Sequence, residues 1–162
     1  SDMSDVGGYL VKTNNYEGKK VLIVDDNKLN IKVARRSLVD FNLVIDECYN
    51  GEECLEKIHN GEVYDLILMD IMMPVMSGER AMKELNLMSD FSTPVIALTA
   101  DAVSGAEEKY ISEGFIDYIS KPFTKEQIKV KLDKLFSTNN LKYNPNIDRF
   151  DGVEPVVIGK KD

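Results

Sequence analysis

Histidine occurs once in this 162-residue chain and cysteine twice. That scarcity excludes a disulfide framework and any metal centre built on His and Cys ligands. Cys48 and Cys54 are therefore expected to be plain packing residues. Basic residues are also short, 20 against 28 acidic ones, for a net charge of -8. This balance repels phosphate backbones and anionic lipid, so no nucleic-acid partner and no direct membrane contact are expected. No apolar run nears the ~20 residues of a bilayer crossing, and no basic, apolar signal sequence opens the chain. A cytoplasmic setting follows as the expectation. What is present is an ordinary globular mixture, 43% apolar and 30% charged, long enough for one core and too apolar for a disordered or fibrous protein.

Three short, continuous apolar runs stand out: Val21-Leu22-Ile23-Val24, Leu66-Ile67-Leu68-Met69 and Val95-Ile96-Ala97-Leu98. Runs of this kind suit strands buried on both faces of a parallel sheet. Weaker strand candidates are Val44–Cys48 and Asp117–Ser120. Between them the period lengthens to that of helices, as at Val33, Ala34, Leu38 and Phe41, and again at Ile128, Leu132, Leu135 and Phe136. Ser104 with Glu107, and Thr124 with Gln127, match the spacing of a reciprocal N-terminal cap, while Asn50-Gly51 and Ser77-Gly78 mark further helix entries. The pattern predicts an α/β fold with five strand-helix units from about 19 to 136, a parallel sheet covered by helices on both faces. Residues 1–18 read as a linker or cloning remnant. Residues 137–162 read as a mostly irregular tail, with Val156-Val157-Ile158 as a patch that would add a strand or dock on a neighbour.

In an open parallel sheet, ligands bind beyond the carboxyl ends of the strands. The first strand candidate ends in Asp25-Asp26, the third in Asp70, the fourth in Thr99 and the fifth in Lys121-Pro122. Each alone has a plain explanation as a helix cap, a turn residue or a solvated charge. Together they do not, because three carboxylates crowded at one edge repel one another unless a cation sits among them. Oxygen ligands without His or Cys suit Mg2+ better than zinc. Carboxylates, a divalent cation, a hydroxyl and a lysine form a site for a phosphoryl group, with Asp70 as nucleophile, Thr99 as hydrogen-bond donor and Lys121 offsetting charge.

The runs Val24-Asp25-Asp26-Asn27, Leu68-Met69-Asp70-Ile71-Met72-Met73-Pro74 with Ser77-Gly78, Leu98-Thr99-Ala100 and Tyr118-Ile119-Ser120-Lys121-Pro122-Phe123 carry a resemblance. So do the separations of 44, 29 and 22 residues between Asp26, Asp70, Thr99 and Lys121. Over roughly 19 to 136 the sequence resembles the receiver domain of two-component response regulators, most of all the receivers of hybrid sensor histidine kinases. The resemblance implies a doubly wound, flavodoxin-like sheet of strand order 2-1-3-4-5. It implies Asp70 as phosphoacceptor, Asp25, Asp26, Asp70 and the Met72 carbonyl as the Mg2+ ligands, Lys121 as phosphate contact, and Thr99 with Tyr118 as the switch pair. A cis Lys121-Pro122 bond is implied too, chemically accessible because X-Pro bonds adopt cis at low cost. Met72 and Asp101 occupy positions that tune the lifetime of the phosphate.

The implied partners are the phosphohistidine domain of a sensor kinase and a histidine phosphotransfer domain, the chain being the cytoplasmic part of a membrane-anchored kinase. His59 stands alone at a predicted helix end and is not expected to be the phosphoryl donor. Two rivals stay in view. A haloacid dehalogenase-like phosphatase would need a second acid two residues after its nucleophile, where Asn27, Lys28 and Met72 stand. A flavodoxin-like cofactor binder would need a Ser-, Thr- or Gly-rich loop where Asp25-Asp26-Asn27-Lys28 stands.

Overall fold

The fold is described from a computed structural model, which covers residues 7–14, 16–143 and 155–157. The elements in chain order are β1 (Gly7–Asn14), β2 (Lys20–Val24), α1 (Lys28–Leu38), β3 (Val44–Cys48), α2 (Gly51–His59), β4 (Leu66–Asp70) and α3 (Gly78–Asn86). They continue with β5 (Val95–Thr99), α4 (Ala106–Ser112), β6 (Asp117–Ser120), α5 (Lys125–Phe136), β7 (Ser137–Tyr143) and β8 (Pro155–Val157). The chain divides into two units, one of residues Tyr16–Lys131 and one made from the two ends.

In the first unit the sheet order is β3-β2-β4-β5-β6, all parallel. Counting these five strands alone, this is the expected 2-1-3-4-5. The three apolar runs are the central strands, and every residue of β4 and β5 is buried. The edge strands β3 and β6 are only partly covered, which is why their sequences are less apolar. Because side chains alternate along a strand, Leu22, Val24, Ile67, Met69, Val95 and Ala97 pack as one layer with Cys54, Ala81, Met82 and Leu85 of α2 and α3. Ile23, Leu68 and Ile96 belong to the other face, and Ile31, Ala34 and Leu38 of α1 are buried with them. Cys48 and Cys54 are free, buried packing residues, as their sequence context implied.

The caps follow the sequence with one exception. Asn50 and Ser77 accept hydrogen bonds from the first helical turns of α2 and α3, and Asn27, which the sequence reading does not name as a cap, does the same at α1. At α5 the pair closes reciprocally, Gln127 N–H donating to Thr124 Oγ1 at 3.2 Å and Thr124 N–H to Gln127 Oε1 at 2.9 Å. The expected Ser104–Glu107 cap does not form. Gly105 takes the cap position at φ +86, a left-handed geometry, and α4 starts after it without a side-chain cap.

The second unit corrects the expectation of a linker and an irregular tail. Gly7–Asn14 and Ser137–Tyr143 pair antiparallel from Gly8↔Tyr143 to Asn14↔Ser137, and Pro155–Val157 adds to the other side of β1, in the order β7-β1-β8. Segments more than 120 residues apart in sequence here satisfy one another's backbone groups. Such pairing leaves no local signature in a strand as polar as Ser137-Thr138-Asn139-Asn140. Of the C-terminal apolar patch, Val156 and Val157 lie in β8; Ile158 and the Ser1-Asp2-Met3 remnant lie outside the described residues.

Candidate functional site

Strand ends assemble the site. The Asp25 N–H donates to the Cys48 carbonyl at 3.1 Å, and Asp70 closes β4, after which the Ile71 N–H donates to the Leu98 carbonyl at 3.0 Å. Thr99 closes β5, and the Lys121 N–H donates to its carbonyl at 2.8 Å, so the backbone itself sets Lys121 beside Thr99. The Lys121-Pro122 bond is cis, as the resemblance implied. All four strand ends named in the sequence thus meet at one rim of the sheet.

Asp25 and Asp70 are buried, at 1% and 2% exposure, whereas Asp26 is open to solvent. One oxygen from each of the three carboxylates lies within 4.8 Å of the others. Lys121 Nζ bridges the two buried ones, 3.0 Å from Asp70 Oδ1 and 3.4 Å from Asp25 Oδ2. Asp25 Oδ1 also accepts from the Asn27 N–H at 2.9 Å and, more distantly, from Asn30 Nδ2 at 3.5 Å, and Asp70 Oδ1 accepts from the Met72 N–H at 3.3 Å. Buried carboxylates need such partners, since an uncompensated charge away from water is costly.

The charges do not balance. Burial pushes the Asp70 carboxyl above its ordinary value, and the Asp25 charge adds to this, while the Lys121 ammonium and the Met72 N–H pull it back. For Lys121 burial works downward, but the Asp70 and Asp25 carboxylates outweigh it and keep the ammonium firmly charged. One cation serves two buried anions with a third at the rim, so the site has room in its electrostatics for a further positive charge. The donors are all oxygens, and no His or Cys belongs to the cluster, which is the ligand chemistry of a hard divalent cation.

Thr99 is buried beside this cluster. Its hydroxyl donates to the Asp101 carbonyl at 3.1 Å and accepts from the Asp101 N–H at 3.2 Å. Tyr118 is half-buried, its ring 5.9 Å from that of Tyr110. The side chains of Met72 and Asp101 are exposed at the rim. His59 is exposed at the last residue of α2 and makes no part of the acidic cluster. The arrangement thus brings together Asp25, Asp26, Asp70, Thr99 and Lys121.

Sequence reasoning missed two contributors. Tyr110 Oη donates to Thr99 Oγ1 at 3.3 Å, a contact between a helix and a strand end that no motif announces. Gly78 enters the sequence reading as a helix entry and as part of the motif run, with no role at the site, yet its Cα lies against the Asp70 backbone carbonyl so closely that a Cβ would overlap it. In the loop between them, Val75 holds φ +68, an uncommon geometry for a β-branched residue and a sign of local strain beside the site.

Comparison with known proteins agrees with this geometry. The family model described as response regulator receiver domain matches residues 21–133, and the chain belongs to that family. It is a receiver domain of two-component signalling. It is 36% identical over 118 residues to the two-component response regulator ORR41 of Oryza sativa subsp. japonica, covering 71% of this chain and 92% of that protein. It is 39% identical over 109 residues to the signal transduction histidine-protein kinase BarA of Escherichia coli (strain K12), covering 67% of this chain but only 12% of the kinase. Among solved structures, the receiver domain of the sensor histidine kinase PA1611 from Pseudomonas aeruginosa PAO1, with magnesium in its active-site cleft, superposes with a TM-score of 0.65. The identity there is 30%, over 73% of this chain and 97% of that one. No helix among the described residues is long and apolar enough to cross a membrane.

Proposed function

We propose that Asp70 accepts a phosphoryl group from a phosphohistidine, and that the chain serves as the receiver of a hybrid sensor histidine kinase. The observation that carries the first part is the Lys121 ammonium held between Asp70 and Asp25, with the Asp26 carboxylate alongside. Asp25, Asp26, Asp70 and the Met72 carbonyl would hold Mg2+, a fit supported by the all-oxygen donors and their surplus negative charge. When bound, the ion supplies positive charge against the phosphoryl oxygens.

The remaining chemistry belongs to the chain. An Asp70 carboxylate oxygen attacks phosphorus, the phosphorus–nitrogen bond to the donor imidazole breaks, and the imidazole nitrogen takes the bonding pair and then a proton. An acyl phosphate on Asp70 results. Lys121 stays with Asp70 and meets the incoming oxygens, and the Thr99 hydroxyl turns to donate to one of them. That movement frees space for Tyr118 to turn inward, altering the surface of α4, β6 and α5.

The partners follow from the same rim. Leu29 of α1, Met72, Val75 and Val103 are large apolar side chains left exposed around it, a surface suited to docking a helix that presents a phosphohistidine. A kinase phosphohistidine domain as donor and a histidine phosphotransfer domain as acceptor fit this surface. The likeness to a small part of two much longer proteins, the signal transduction histidine-protein kinase BarA and the hybrid signal transduction histidine kinase I of Dictyostelium discoideum, supports the placement in such a kinase, and a cytoplasmic setting belongs to the same proposal.

The test is treatment with phosphoramidate or acetyl phosphate and Mg2+, read by intact mass. Wild type gains one phosphoryl group and Asp70→Asn gains none. Equal labelling of both overturns the assignment of Asp70.

A further inference from the structure

A hydroxyl has one proton to donate and two lone pairs to accept with. On Thr99 all three are taken. The proton goes to the Asp101 carbonyl, and the lone pairs receive the Asp101 N–H and the Tyr110 hydroxyl, the last at 3.3 Å. In this state Thr99 has nothing left with which to meet a phosphoryl group on Asp70.

Tyr110 is buried, and its ring is held from two sides. Phe115 meets it edge-on at 5.9 Å and 89°, and Tyr118 lies tilted against it at 5.9 Å and 39°. Its hydroxyl therefore touches one switch residue while its ring touches the other. When Thr99 moves toward Asp70, the Tyr110 hydroxyl loses its acceptor inside the protein, and a buried donor left unpaired costs free energy that the resting state does not bear.

We infer that Tyr110 is a positioning residue of the phosphorylation switch: its hydroxyl latches Thr99 in the resting position, and its ring passes the movement of Thr99 to Tyr118. The inference rests on the reading of Asp70 as phosphoacceptor. The bond is longer than the usual 2.7–2.8 Å of an O–H···O contact, so it biases the switch rather than locking it.

The experiment is a titration of the chain, saturated with Mg2+, with beryllium trifluoride as phosphoryl mimic, in wild type, Tyr110→Phe, Thr99→Val and the double variant. Phenylalanine keeps the ring contacts and deletes only the latch. Tyr110→Phe is expected to bind the mimic about two- to tenfold more tightly than wild type, the net worth of one neutral hydrogen bond expressed as affinity. In the Thr99→Val background the same substitution is expected to change nothing, because the latch acts through the Thr99 hydroxyl. An unchanged affinity in Tyr110→Phe, or a gain that persists without Thr99, overturns the inference. So does a Tyr110→Phe chain that does not fold, since the hydroxyl then serves the fold and not the switch. If wild type itself fails to bind the mimic while Mg2+ is present, it is the phosphoacceptor reading that fails.

Discussion

Gly78 sits against the backbone of Asp70. A Cβ on Gly78 would overlap the Asp70 carbonyl oxygen and come within 3.1 Å of the Ile71 Cα, while the Gly78 N–H donates to the Ile71 carbonyl at 3.0 Å. The first turn of α3 therefore acts as a backstop for the strand end that carries the phosphoacceptor candidate. The obstructing atoms are backbone, so no side-chain rotation can make room.

Gly78→Ala must push the Asp70 peptide away. A loss of about 1–3 kcal/mol is expected, the usual cost of overpacking. The melting temperature should drop by several degrees, and Mg2+ affinity should fall with it, because the Asp70 carboxylate leaves its place beside Asp25. Thermal melts with and without Mg2+ check both. A variant with wild-type stability and Mg2+ affinity would show that the contact is not what positions Asp70.

Lys121→Ala removes the ammonium that bridges Asp70 and Asp25, leaving two buried carboxylates face to face. Stability in the absence of divalent cations should fall by roughly 2–3 kcal/mol, less than the 3–5 kcal/mol of a fully enclosed pair because the rim opens to water. Saturating Mg2+ should restore more stability to this variant than it adds to wild type. Denaturant titrations in EDTA and in Mg2+ measure the difference, and equal Mg2+ effects on the two proteins would contradict the charge argument.

A pH effect is expected between α3 and the end of α4. Burial, and then the neighbouring Glu79 carboxyl, push Glu113 up to about 7, against a smaller opposing pull from Lys109, whose Nζ is 3.5 Å from Glu79. Glu113 Oε1 is buried and meets no N–H or O–H donor, so the two carboxyls can bond only by sharing a proton. The folded chain binds this proton more tightly than the unfolded chain, whose Glu titrates near 4.5. Its stabilising contribution is thus complete below about pH 4.5 and is lost as pH rises through about 7. Glu113→Gln should match wild type at the acid end and melt higher than wild type at pH 8. Melting curves across that range decide it, and parallel curves for the two proteins would rule out the shared proton.

The two cysteines should be inert in the folded chain. Contact with Cys54, together with burial, pushes the Cys48 thiol far up, so no thiolate forms at neutral pH. A thiol reagent should label neither residue before unfolding and both after it. Rapid labelling of the native protein would mean that the β3–α2 corner opens more readily than its packing implies.

Much of the fold was legible because the signals were local. A strand buried on both faces has to be apolar throughout, so Val21–Val24, Leu66–Met69 and Val95–Leu98 announced the centre of the sheet, and Asn50, Ser77 and Thr124 announced helix starts by their own hydrogen-bonding chemistry. The candidate site was legible for a related reason. In a parallel sheet the chain direction puts the last residue of every strand at the same rim, so Asp25, Asp70, Thr99 and Lys121 had to meet once the strands were recognised.

Other features needed the third dimension. The pairing of β1 with β7 joins segments more than 120 residues apart whose sequences carry no sign of one another, and Gly105 displaced the cap that Ser104 spelled out. The contact of Tyr110 with Thr99 and the closeness of Gly78 to Asp70 arise only when a helix is laid on the end of a strand. Residue order dictates periodicity and direction, and these sufficed to name the acidic rim. The separations of a few ångströms that hold one hydroxyl or one carbonyl in place come from packing between distant segments, where the deciding quantity is the shape of the gap and not the pattern of the chain.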